Sequence, residues 1–138
     1  MPNRSASPRT PDAPVSIVGI GVDIIEIERV RLAAERGGDR FVQRVFTKSE
    51  AAYCLARRYP ARHLAARFAA KEAVIKALRV PPGLGWLWRE IEVVRVEGPP
   101  SIRLSGRALE RARALHVAAS HLSMAHSDAH AVAMVVLT

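Results

Sequence analysis

Glu72 and Lys76 lie in the stretch RFAAKEAVIKAL, Arg67 to Leu78. On a helix, i, i+4 spacing brings two side chains together on one face. Arg67 and Lys71 form a second such pair, displaced around the axis. Nearly everything else from Leu64 to Leu78 is Ala, Val, Ile, Leu or Phe. A helix this apolar is expected to be buried over much of its circumference. Its charges then need partners, because an unpaired buried charge is costly. A structural Glu72–Lys76 salt bridge is one way to supply them, and a reaction site is another. Asp23 favours the second, as a carboxylate at the end of an apolar strand. Two carboxylates from separate elements and a lysine suit a hard divalent cation held against a phosphate ester. Mg²⁺ takes oxygen ligands and keeps several waters, and a neighbouring lysine can neutralise charge on a departing phosphate. His126, in HLSMAHSD, is a further candidate, able to donate a hydrogen bond or take a proton near neutral pH. The glycines of PPGLG, Gly83 among them, can approach a ligand, although the stretch matches no phosphate-binding fingerprint.

These residues need elements to position them. In VSIVGIGVDIIEI, Val18, Ile20, Val22 and Ile24 alternate on one face of a strand. Ile17, Gly19, Gly21 and Asp23 occupy the other, and its two glycines leave room for another backbone or a ligand. EIERVRLAAER reads as a helix ended by Gly37-Gly38. Asp39 can cap a short helix through Phe41 and Val45. TKSE, Thr47 to Glu50, is a capping box opening a third helix. Pro60 or Ala61 opens the long helix, which runs to about Leu78. IEVVRV and SIRL read as short strands, and GRALERARALH as a helix with an exposed charged face. HVAASHLSMAHSDAHAVAMVVLT reads as two strands joined near Ser127 and Asp128. The order of elements implies an α+β fold: a largely antiparallel sheet packed against a long buried helix and shorter helices.

Composition narrows the classes. The chain has 138 residues, of which 49% are hydrophobic and 25% charged, a profile that suits one soluble domain. Residues 1–14 lack periodicity and read as a disordered tail, leaving 15–138 as the domain. Neither a secretory h-region nor a run long enough to span a membrane is visible. Cys54 is the sole cysteine, which fits a reducing cytoplasm and excludes a multi-cysteine zinc site within one chain. The net charge is +8, and ten Arg/Lys face only three Asp/Glu between Arg29 and Arg67. Such a block attracts an acidic partner or forms a solvated face. Nucleic acid is one such partner, but no aromatic platform is interleaved with the basic residues and no reader motif appears. The expectation is therefore no nucleic acid and no membrane.

Together GIGVDIIEIERV, RFVQRVFTKSE, HLAARFAAKEAVIKAL, WREIEV and HLSMAHSDAHAVAMVV resemble the holo-(acyl-carrier-protein) synthases, short-chain 4′-phosphopantetheinyl transferases. The resemblance runs in order from about Ile17 to the C-terminus. It implies transfer of the 4′-phosphopantetheine arm of coenzyme A to a serine of apo acyl carrier protein, for fatty-acid or polyketide synthesis. Adenosine 3′,5′-bisphosphate is released and Mg²⁺ is required. It further implies that Asp23 and Glu72 ligate the metal and that Glu72, Lys76 and His126 are catalytic. Asp23, Lys76, Gly83, His126 and Ser127 would meet coenzyme A, and Arg29, Arg40, Phe41 and Arg44 the carrier protein. A cytoplasmic homotrimer with active sites between subunits is implied too. The chain departs from the family pattern at Ala125, at Ser127 and in the loop LRVPPGLGW. A non-catalytic carrier-binding relative is the alternative those departures keep open.

Overall fold

The computed structural model describes residues 14–81, 85–95 and 97–138. Most of the expected tail and Gly83 therefore lie outside the described residues. The chain enters through strand β1 (Gly19–Glu26) and passes into helices α1 (Ile27–Gly37), α2 (Asp39–Val45) and α3 (Lys48–Leu55). The long helix α4 (Pro60–Ala77) follows, then a 3-10 turn at Gly85–Glu90 and a hairpin of β2 (Ile91–Val94) and β3 (Ser101–Leu104). Helix α5 (Gly106–Ala114) leads to a second hairpin, β4 (Ser120–His126) and β5 (His130–Leu137). The main sheet has the order β1-β5-β4, and every pairing in both sheets is antiparallel. The fold is α+β, as the order of elements implies.

Local chemistry accounts for the boundaries. Thr47 Oγ1 accepts from Glu50 N and Glu50 Oε1 accepts from Thr47 N, the reciprocal capping box that TKSE predicts. Pro60 opens α4, where its missing N–H costs nothing. Asp39 is not a cap: the N-cap of α2 is Gly38, at φ 53°, and Asp39 is the first helical residue. Its charge still lies in the first turn, where the helix dipole favours it.

Helix α4 lies across the sheet, and eleven of its residues, from Leu64 to Ala77, are buried. The glycine face of β1 is what lets it come close. A Cβ on Gly19 would stand 2.0 Å from Ala77 O, and one on Gly21 1.9 Å from Ala73 O. Helix backbone fills the room those glycines leave, and the helix meets it with alanines. The β-branched face of β1 consequently points away from the core. Ile20, Val22 and Ile24 are 62%, 57% and 66% exposed, and Met134, which pairs with Val22 on β5, is 47% exposed. Below α4, Val74, Leu78, Ile91, Val135 and Leu137 form one core cluster, and Val45, Phe46, Cys54 and Leu64 a second. Ile25, Trp88 and Met124 pack against both.

Candidate active site

The gap between β1 and α4 ends at Asp23, and there three of the expected residues gather. Lys76 Nζ lies 3.1 Å from Asp23 Oδ1 and 2.9 Å from Val22 O. The Asp23 side chain is 19% exposed and Lys76 54%, so this is the open rim of the helix–strand seam. Glu72, half-buried, stands one turn earlier on the same helix. It forms no bridge with Lys76; Glu72 Oε1 accepts from Trp88 Nε1 at 2.6 Å. From Leu64 onward, Phe68, Glu72 and Lys76 make up the stripe of α4 that escapes full burial. Among the described residues, each carboxylate thus has one oxygen engaged, Asp23 Oδ1 by Lys76 and Glu72 Oε1 by Trp88, and the other without a side-chain partner. Two oxygen donors beside a lysine fit a hard divalent cation, which completes its shell with water and substrate.

The other charges of α4 serve a different purpose. Lys71 is fully buried, and its Nζ donates to Glu50 Oε1 at 2.7 Å, Trp88 O at 2.7 Å and Ile91 O at 2.6 Å. Burial pushes its pKa below the ordinary lysine value, while the Glu50 carboxylate works to hold the proton on. Three acceptors require three N–H donors, so Lys71 is an ammonium. Glu50 Oε2 also accepts from Val93 N at 3.0 Å. One carboxylate therefore caps α3, neutralises Lys71 and ties down β2. Sequence reading finds the cap in TKSE but has no signal for the two longer-range bonds. Arg67 is buried too, with its guanidinium 4.3 Å from the Tyr53 ring. Arg67 Nε is buried without a hydrogen-bond partner among the described residues.

His126 ends β4, two strands away from Asp23 across β5. Two strand spacings amount to about 10 Å, so one chain does not seat His126 against the Asp23–Lys76 pair. It lines instead a cavity of about 300 Å³ shared with Arg62, His63, Arg67, Arg95 and Pro100. Burial, together with the charges of Arg67, Arg57, His126 and Arg95, lowers the pKa of His63, so its imidazole is neutral at neutral pH. The cavity gathers several positive groups, and Arg62 and Arg95 are members that the motif spacing did not single out, whereas Arg67 was read there only as the i, i+4 partner of Lys71. Ser127 sits in the β4–β5 turn, where its Oγ accepts from His130 N at 3.2 Å. Asp128 beside it faces Arg62 Nη2 at 3.5 Å.

The first half of the basic block, Arg29 to Arg44, lies on α1 and α2. Arg29, Arg40 and Arg44 are exposed, whereas Arg31 is engaged by Glu28 and Glu35 on its own helix. Phe41 is half-buried, its ring edge-on to Phe46 at 6.2 Å. Tyr53 and Tyr59 each have two arginine guanidiniums against the ring, so neither is a free stacking platform for a base.

Comparison with known proteins assigns this arrangement to a family. The model of the 4′-phosphopantetheinyl transferase superfamily matches residues 19–135. A holo-(acyl-carrier-protein) synthase of Anaeromyxobacter sp. (strain K) is 46% identical over 124 residues, 88% of this chain and 95% of that protein. The crystal structure of the holo-(acyl-carrier-protein) synthase of Neisseria meningitidis superposes with a TM-score of 0.79 at 30% identity, over 89% of this chain and 99% of that one. The Helicobacter pylori synthase, solved in complex with coenzyme A, gives a TM-score of 0.73 at 30% identity over 86% and 99% of the two chains. The chain belongs to the holo-(acyl-carrier-protein) synthase family of the 4′-phosphopantetheinyl transferase superfamily.

Proposed function

We propose that this protein transfers the 4′-phosphopantetheine arm of coenzyme A to a serine of an apo acyl carrier protein, in the cytoplasm. Family membership gives the reaction class. The observation that carries the site assignment is the meeting of Asp23 and Lys76 at the mouth of the β1–α4 seam, one helical turn from Glu72. Asp23 and Glu72 would hold Mg²⁺ through their free oxygens. When bound, that ion supplies charge neutralisation on the pyrophosphate and orients it for in-line displacement.

The remaining steps fall to the chain's own groups. The serine oxygen of the carrier attacks the phosphorus attached to pantetheine. The bond from that phosphorus to the bridging oxygen breaks, and adenosine 3′,5′-bisphosphate leaves. Glu72, acting through a water, or His126, brought from a neighbouring subunit, takes the serine proton, and the Lys76 ammonium stabilises the charge left on the departing phosphate. The Arg-lined cavity at His126 suits the anionic nucleotide end of coenzyme A, and Arg67 Nε is a buried donor without an acceptor among the described residues. Arg29, Arg40 and Arg44 would meet an acidic carrier surface and raise the encounter rate. The uncovered apolar face of Ile20, Val22, Ile24 and Met134 supports assembly into a trimer that joins the Asp23 region of one subunit to the His126 cavity of another.

The test is an intact-mass assay with apo acyl carrier protein, coenzyme A and Mg²⁺. The carrier should gain one phosphopantetheine arm. EDTA, Asp23→Ala or Glu72→Ala should each reduce the rate at least 100-fold. A Glu72→Ala enzyme with an unchanged rate would eliminate Glu72 from the site.

A further inference from the structure

Trp88 is gripped by three residues of α4. Lys71 Nζ binds its carbonyl oxygen at 2.7 Å, Glu72 Oε1 accepts from its indole Nε1 at 2.6 Å, and the Phe68 ring lies 5.5 Å from its ring. Lys71 and Glu72 are consecutive, so they leave the helix about 100° apart. One fixes the backbone of residue 88 and the other fixes its side chain. Lys71 is itself immobilised by Glu50 and Ile91 O, with no exposed surface. The indole N–H is therefore anchored to the protein core through a chain of short contacts.

Glu72 gains a defined orientation from this anchor. A half-buried glutamate has three rotatable bonds, and the partner that i, i+4 spacing offers, Lys76, is instead engaged with Asp23 and Val22 O. Among the described residues, the side-chain hydrogen bond that Glu72 makes is the one from Trp88. We propose that Trp88 is a positioning residue for Glu72: its indole N–H holds Oε1 and so presents Oε2 to the divalent cation. The inference rests on the reading of Glu72 as a metal ligand. Partners that orient a ligating carboxylate typically contribute 10- to 100-fold to metal affinity. A tryptophan serving only to fill space would contribute through its ring alone, and phenylalanine would replace it.

Trp88→Phe separates the two roles, because it keeps an aromatic ring against Phe68 and deletes the N–H. The full chain saturated with coenzyme A is titrated with Mn²⁺, and free metal is read by electron paramagnetic resonance without turnover. Trp88→Phe should bind Mn²⁺ about 10-fold more weakly or worse, with the same relative loss in the Mg²⁺ concentration that half-activates transfer. Mn²⁺ affinity equal to wild type in a folded Trp88→Phe protein would overturn the proposal. Glu72→Gln is titrated in parallel. If it retains full Mn²⁺ affinity, the metal-ligand reading fails; if it loses affinity while Trp88→Phe does not, only the role of Trp88 fails. Should Trp88→Phe not fold, the indole ¹⁵N–¹H resonance of Trp88, assigned against Trp86→Phe, decides in the otherwise unaltered protein. It should move when Glu72 becomes Gln, and an unmoved resonance refutes the contact.

Discussion

Lys71 and Lys76 share one helix, but their surroundings make them opposites. Lys71 has no exposed surface and spends all three N–H groups on protein acceptors. Lys76 is 54% exposed and reaches across to a carboxylate that is itself accessible. Removing one partner of a buried ion pair strands the other charge, whereas removing an exposed charge costs little stability. Lys71→Met should therefore destabilise the protein by about 3–5 kcal/mol, read by chemical denaturation, with Glu50 left buried and uncompensated. Lys76→Met should change stability by no more than about 0.5 kcal/mol while cutting phosphopantetheine transfer at least 100-fold. Comparable destabilisation by both substitutions would contradict the division. The mixture of charges and alanines in RFAAKEAVIKAL is legible from sequence, and so is the need for partners. Which partner each charge takes is not legible. Glu72 and Lys76 are spaced for each other, yet each finds a better-placed group on another element, Trp88 and Asp23. Those contacts span 16 and 53 residues of chain, and no local pattern encodes them.

At the scale of elements, the instructive case is β1. Its period-2 alternation states that two faces differ, and the glycines state that one face receives a close neighbour; both are visible in GIGVDII. Hydrophobicity alone would send Ile20, Val22 and Ile24 inward. The structure turns them outward, because only the glycine face lets the backbone of α4 approach, with Ala73 O and Ala77 O at the sites a Cβ would take. Volume decides over apolarity here, since backbone carbonyls cannot yield as a flexible side chain can. The hairpin at Ser127 and the capping box at Thr47 are easier to read, because each is specified within a few residues. The same close approach fixes where Asp23 emerges relative to Lys76. Gly21→Ala should accordingly force β1 from α4 and destabilise by about 3 kcal/mol, and the surviving folded protein should transfer more slowly because the Asp23–Lys76 contact is lengthened. Wild-type stability and activity in Gly21→Ala would show that the seam is looser than these distances imply.

At the scale of the molecule, one chain holds two separated sets of groups. Asp23, Glu72 and Lys76 gather at the β1–α4 seam, while His126 with Arg62, Arg67 and Arg95 lines a cavity on the far side of β5. Coenzyme A, whose pyrophosphate joins pantetheine to a phosphorylated nucleoside, needs both kinds of group. The uncovered apolar face of β1 and β5 offers a way to join them, since burying it against a second copy removes Ile20, Val22, Ile24 and Met134 from water. If the two sets meet across a subunit boundary, variants defective in different sets should repair each other. Asp23→Ala and His126→Ala, each inactive alone, are coexpressed in equal amounts with separate tags, and the mixed assembly is isolated. In a mixed cyclic trimer one of the three interfaces pairs an intact Asp23 with an intact His126 from the neighbouring subunit, so about one third of the sites are repaired. Transfer activity should return to roughly that fraction of wild type. Sites made by single chains would show no recovery, because every chain carries one defect. Met134→Glu, which places a charge on the apolar face, should give a monomer by light scattering and abolish transfer; an active monomer would mean that each chain completes its own site.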